Sequence, residues 1–83
     1  MKNEISFPVF RKYKNQKSFF KIISQTEFEE IKLFGAKGEL HSFSAKILPD
    51  RNYIYDMLYN YTDYWDESDE NEFNLIKSKF VIQ

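Results

Sequence analysis

Cysteine is absent from this chain of 83 residues, and its absence limits what can stabilise the fold. Neither a disulfide framework nor a thiolate metal site is available. A chain of this length is expected to form one domain, spanning residues 1–83, around one hydrophobic core. The core must depend on large side chains, since the sequence carries nine Phe, six Tyr and one Trp. Each aromatic ring buries roughly 150–250 Å², so rings fill a small core efficiently.

Two segments rich in Phe, Val, Ile and Tyr lie near the start of the chain, at 5–13 and 18–24. The polar residues 14–17 between them are typical of a hairpin connection. Pro8 has no N–H to donate to a neighbouring strand, so the first strand is expected to lie at a sheet edge or to begin near Pro8. These features predict an N-terminal β-hairpin.

The next segment supports two interpretations. Ser24 and Glu27 have the spacing of a capping box, which favours a helix over about 25–34. The competing interpretation is a β-hairpin that turns at 35–38, because residues also alternate in polarity from 29 to 33. We prefer the helix.

The remaining elements follow from periodicity. Residues 39–48 alternate as a strand, 50–60 have the apolar spacing of a helix, 61–67 form a weak strand or a loop, and a capped helix is expected over about 69–80. The predicted fold class is therefore α+β. We expect a small antiparallel sheet, made of the N-terminal hairpin and one or two further strands, with two or three short helices covering one face.

Few residues in this chain are suited to catalysis or metal binding. His41 is the only histidine, and no sequence resembles a nucleophile elbow or a phosphate-binding loop. A calcium loop beginning at Asp66 fails where the geometry is strict, because Asn71 replaces the turning glycine and Lys77 replaces the bidentate glutamate. We therefore expect a protein that is not an enzyme, with no catalytic residues, no cofactor and no metal site.

Nothing in the sequence indicates a membrane protein. No segment approaches the ~18 continuous apolar residues of a membrane-spanning helix. Residues 1–4 lead directly into the first predicted strand without the apolar region of a signal peptide. We expect a cytoplasmic protein with no membrane partner.

Charge is distributed unevenly along the chain. Residues 1–48 carry nine Lys or Arg and five Asp or Glu, whereas residues 49–83 carry three basic and eight acidic residues. The net charge of −1 therefore conceals a basic half with a net charge of +4 and an acidic half with a net charge of −5.

The basic half provides one candidate function. Cationic and aromatic side chains on the hairpin could bind single-stranded nucleic acid through charge and base stacking. The residues concerned are Arg11, Lys12, Tyr13, Lys14 and Lys17. The same lysines could instead be solvated groups that prevent edge-to-edge aggregation.

The acidic half provides the preferred hypothesis, a protein-binding module whose partner has a basic surface. Tyr and Trp are enriched at binding hot spots, and surrounding carboxylates would speed encounter with a cationic partner. The predicted interface comprises Tyr55, Tyr59, Asp63, Tyr64, Trp65, Asp66, Glu67, Asp69 and Glu70. Such a surface suits an adaptor, a self-association contact, or an inhibitor that mimics nucleic acid. The alternative is that Trp65 belongs to the core and the acids only cap and solubilise the last helix.

Overall fold

A five-stranded antiparallel sheet and two helices form the fold. The structure, a computed structural model, describes residues 5–81. In chain order the elements are β1 (Val9–Tyr13), β2 (Ser18–Ile22), β3 (Glu27–Phe34), β4 (Lys37–Ser44), α1 (Leu48–Tyr59), β5 (Trp65–Glu67) and α2 (Glu70–Phe80). The predicted α+β class is confirmed, although the sheet has more strands than expected. Residues 1–4, which contributed to the prediction of a cytoplasmic protein, lie outside the described residues.

The strand order in the sheet is β4-β3-β2-β1-β5. β1 and β2 pair as an antiparallel hairpin, and β3 and β4 continue the same meander. β5 returns after α1 and pairs with the opposite edge of β1. Pro8 directly precedes β1, where its missing N–H interrupts no strand pairing.

The preferred helix over 25–34 is wrong, and the competing hairpin is correct. β3 pairs with β4 along its whole length, from Glu27 opposite Ser44 to Phe34 opposite Lys37. Ser24 belongs to the turn between β2 and β3, where its Oγ accepts a hydrogen bond from the Thr26 backbone N–H at 3.2 Å. The side chain that was expected to cap a helix therefore stabilises a turn.

The two helices lie on opposite faces of the sheet, which corrects the expectation that they cover one face. Successive residues of a strand point to opposite faces, so Phe19 and Phe20 of β2 belong to different clusters. Phe20 packs with buried residues of α1, whereas Phe19 packs with Phe73 of α2. The sheet therefore forms the middle layer between two helices, with one apolar cluster on each side.

The α1 helix begins at Leu48 and places Pro49 in its first turn, where a missing N–H costs no helical hydrogen bond. Its buried residues Ile54, Met57 and Leu58 are those expected from the periodicity. The helix begins two residues before the predicted range of 50–60 and ends one residue before the end of that range.

The α2 helix begins as its sequence predicts. The Asp69 carboxylate accepts a hydrogen bond from the Glu72 backbone N–H at 2.8 Å, and Phe73 is buried against the sheet. The C-terminal end of α2 lies close to Gly38 of β4. A Cβ atom added to this glycine would be only 2.9 Å from the Phe80 Cβ. Within residues 5–81, neither helix is long and apolar enough to cross a membrane.

Candidate functional site

The acidic and basic halves of the sequence meet in the sheet. β5 pairs with β1, so that Glu67 lies opposite Arg11, Asp66 opposite Lys12 and Trp65 opposite Tyr13. Residues separated by more than fifty positions in the chain are therefore neighbours. The charge separation seen along the sequence becomes charge pairing in the fold.

Both lysines of β1 and its following turn are engaged by acidic residues. Lys12 Nζ lies 3.0 Å from Glu72 Oε2, and Lys14 Nζ lies 3.0 Å from Asp66 Oδ1. The Lys12 side chain is mostly buried, whereas the Lys14–Asp66 pair is exposed. Of the predicted nucleic-acid-binding lysines, only Lys17 makes no ion pair with any residue in the described range 5–81.

Arg11 is held on the α1 side of the sheet. Its Nε donates a hydrogen bond to the Met57 carbonyl oxygen at 2.8 Å, and its guanidinium carbon lies 3.9 Å from the centre of the Tyr61 ring. Burial lowers the pKa of Arg11 from its usual value. The Tyr61 hydroxyl donates to Glu67 at 2.6 Å, and this hydrogen bond raises the pKa of Tyr61. The Arg11 side chain therefore packs against α1 and the Tyr61 ring in addition to carrying a positive charge.

Trp65 belongs to the core, since only 5 % of its surface is exposed. Its ring stacks on Tyr13 at 5.7 Å and meets Tyr53 edge-on at the same distance. The Trp65 Nε1 is buried and has no hydrogen-bond partner among the described residues. Trp65 is therefore not an exposed residue of the predicted interface. Its buried ring instead packs against the neighbouring tyrosines Tyr13, Tyr53 and Tyr64.

A groove beside Trp65 combines residues from both predicted sites. We call it the aromatic groove, and it has a volume of about 560 Å³ and is lined by Tyr13, Lys14, Asn15, Tyr53, Asp63, Tyr64 and Trp65. Tyr64 is 69 % exposed and meets Trp65 edge-on at 6.0 Å. The hydroxyls of Tyr13 and Tyr53 hydrogen-bond to each other at 2.7 Å. Burial, and then this hydrogen bond, raises the pKa of Tyr53 well above its usual range.

Tyr55 and Tyr59 form a separate surface. Their rings lie 4.6 Å apart on α1 and line a second groove with Gln25 and Thr26 of the β2–β3 turn. Neither residue lines the aromatic groove. The tyrosines predicted to form one interface therefore occupy two different places on α1 and its following loop.

The acidic residues also divide by role. Asp63 lines the aromatic groove, whereas Asp66 and Glu67 are bound by Lys14 and Tyr61. Asp69 caps α2, and Glu70 is exposed in the first turn of that helix. Of the predicted carboxylates, Asp63 is the one placed beside exposed aromatic surface.

A smaller recess was not foreseen from the sequence. It has a volume of about 200 Å³, lies between β3, β4 and α1, and contains Glu30 with the rings of Phe28, Phe43 and Tyr53. The sequence places Glu30 in the predicted helix over 25–34, where a glutamate is ordinarily exposed. Only the correct assignment of β3, with Phe28 and Glu30 on one face, would have indicated this recess.

Residues 5–81 contain no cluster of side chains suited to binding a metal ion. His41 Nε2 lies 3.1 Å from Glu39 Oε1 at the surface, and no group of three or more His, Asp or Glu in the described part could hold a metal ion. Comparisons with protein-family models, with curated proteins and with solved structures found no match. Any functional assignment must therefore come from the geometry of this chain.

Proposed function

We propose that this chain is a non-enzymatic protein-binding module, an adaptor or an inhibitor, that engages a basic partner at the aromatic groove. The observation that carries the proposal is the exposure of Tyr64 beside Asp63, over a floor of packed aromatic rings. Large amphipathic rings supported from below lose little conformational entropy on binding, which is why Tyr and Trp dominate interface hot spots.

The charges around the groove favour a cationic partner. Asp63 forms no ion pair with any residue in the described range, whereas the ammonium of Lys14, which also lines the groove, is neutralised by Asp66. An arginine or lysine side chain of the partner could stack on Tyr64 and pair with Asp63. The aromatic groove therefore supports the hypothesis of a protein-binding module, but it contains only Asp63, Tyr64 and Trp65 of the nine residues predicted for the interface.

The basic hairpin gains less support from the fold. Arg11, Lys12 and Lys14 all have anionic or carbonyl partners within the chain. A phosphate backbone would have to compete with these contacts, which weakens the electrostatic driving force for nucleic-acid binding. The nucleic-acid mimic remains a version of the leading proposal, in which DNA or RNA competes with the chain for a shared partner.

The proposal is tested by affinity capture from the native host with the double variant Asp63→Lys/Tyr64→Ala. Both residues are exposed, so circular dichroism should stay native. We expect the variant to lose a basic protein that the unmodified chain retains, and the dissociation constant measured with that purified protein to rise by at least tenfold, as for a hot-spot residue.

The matched control is Leu75→Ala, which removes an exposed apolar side chain from α2 on the other face. This control should retain the partner. Capture of the same proteins by the double variant, or equal loss with the control, would exclude the aromatic groove as the binding site. Competition by an oligonucleotide would distinguish a nucleic-acid mimic from an ordinary adaptor.

A further inference from the structure

Glu30 is a buried acidic residue without a partner. Only 6 % of its surface is exposed, and it forms neither an ion pair nor a side-chain hydrogen bond with any residue between 5 and 81. Lys32 is its nearest basic neighbour along the same face of β3, and His41 lies opposite on β4, yet neither pairs with it. The Glu30 carboxylate lines an open recess, so its charge depends on the solvent or ligand that enters the recess.

Aromatic rings surround the recess that contains Glu30. Phe28 and Phe43 form a stacked pair across β3 and β4, with ring centres 4.8 Å apart. Tyr53 of α1 lies 5.8 Å from Phe28 at a tilt of 48°. Phe43 is 40 % exposed, so the recess is open to solvent on the β4 side. Asp50 at the start of α1 adds a second carboxylate to the lining.

We propose that this recess binds an alkylammonium group, such as the head of a methylated lysine or of a small quaternary amine. Aromatic faces attract a cation through the ring quadrupole, and the attraction grows when the cation is desolvated. An alkylated ammonium is large, apolar at its surface and weakly hydrated, so it suits rings on its sides and a carboxylate at its base. The volume of about 200 Å³ leaves space for such a group without rearrangement of the sheet.

A hard metal ion fits the recess less well. Ca²⁺ and Mg²⁺ require six or more oxygen ligands in close geometry. Three aromatic residues contribute to the lining, and Glu30 and Asp50 supply only two carboxylates. An unmodified lysine is better hydrated than its methylated form, so the rings should favour the alkylated cation.

This inference goes beyond the proposed function and rests on different residues. Tyr53 is the one lining residue that the recess shares with the aromatic groove. Substitutions at Glu30 and at Tyr64 therefore test the two sites separately.

The test is an NMR titration of the isotope-labelled protein with tetramethylammonium and with the acetylated amide of trimethyl-lysine. Unmodified lysine amide and norleucine amide are the comparison probes. We expect saturable shifts of the Phe28, Phe43 and Tyr53 resonances with the alkylated cations, affinity about tenfold lower for lysine, and no shift with norleucine. The tighter of the two alkylated probes identifies the source as a free amine or a side chain.

Glu30→Gln keeps the side-chain shape and should reduce affinity on the order of tenfold or more. Glu29→Gln, which removes the same charge from the opposite face of β3, should leave affinity unchanged. Phe43→Leu provides an independent variant that removes one wall at a partly exposed position. Absence of saturable shifts, equal binding of norleucine, or unchanged affinity in both Glu30→Gln and Phe43→Leu would overturn the proposal.

Discussion

At the scale of single residues, Trp65 shows how context decides the role of an aromatic side chain. Its sequence surroundings of tyrosine and acid are those of an interface, yet its ring is enclosed by Tyr13, Phe20 and Tyr53. Pairing of β5 with β1 causes this burial, since it places Trp65 on the α1 side of the sheet. No local pattern in a three-residue strand could have predicted that pairing.

Two substitutions of Trp65 should differ in their effect on stability. Trp65→Ala is expected to lower the free energy of unfolding by about 3–5 kcal/mol, because it leaves a cavity in the core. Trp65→Phe keeps a ring and removes the unpaired Nε1–H, so the loss should stay below about 1.5 kcal/mol. Urea denaturation of both variants measures the difference. Equal stability of Trp65→Ala and the unmodified chain would contradict a core role.

Glu30 should affect stability in the opposite direction. In the absence of a cation, Glu30→Gln is expected to raise the free energy of unfolding by about 1 kcal/mol, because it removes a mostly buried charge that forms no ion pair within residues 5–81. For a domain of this size that gain corresponds to a rise in Tm of roughly 4–8 °C. Glu29→Gln, on the opposite face of the same strand, is the control and should change Tm little. A lower Tm for Glu30→Gln would show that the carboxylate is compensated within the chain.

At the scale of elements, β3 explains the failure of the helix prediction. Phe28 faces α1 and Ile31 faces α2, so apolar residues occur on both faces of one strand. Their spacing of three residues resembles one helical stripe, and Ser24 with Glu27 adds the pattern of a cap. Local pattern could not separate the two structures, because the helices that cover the two faces of β3, α1 and α2, both follow later in the chain. Each of α1 and α2 buries one face only, so for these segments the apolar periodicity was enough to predict a helix.

The pairing of β1 with β5 and α2 should be measurable as coupling between charges. In double-mutant cycles, Lys12→Met with Glu72→Gln should give a coupling energy of about 1 kcal/mol, since the lysine is mostly buried. Lys14→Met with Asp66→Asn should give less than about 0.5 kcal/mol, because both side chains are half-exposed. Thermal unfolding at low ionic strength is the measurement. A larger coupling for the exposed pair would contradict the arrangement at this edge.

At the scale of the whole molecule, the fold changes the meaning of the charge distribution. The sequence predicts a basic end and an acidic end, and each suggests its own partner. In the sheet these ends are adjacent, and Lys12, Lys14 and Arg11 are engaged within the chain. Exposed aromatic rings lie around α1 beside carboxylates that form no ion pair within residues 5–81, and we propose that these groups serve in recognition.

The candidate site was therefore predicted in part. Asp63 and Tyr64 of the predicted interface line the aromatic groove, together with Tyr13 of β1 and Tyr53 of α1. Tyr53 is not part of the predicted interface. It lies on the flank of α1 opposite the Tyr55 and Tyr59 pair. Only the position of α1 over the sheet shows that Tyr53 is shared by the aromatic groove and the Glu30 recess.

We propose that a partner binds through the rings and Asp63 of the aromatic groove, and not through the cationic side chains of the hairpin. The most direct test is an NMR spectrum of the isotope-labelled chain recorded with and without the captured partner. We predict that the shifted resonances cluster at Tyr13, Tyr53 and 63–65. Shifts that instead centre on Lys17 and the exposed face of α2, with Tyr64 unaffected, would contradict the account.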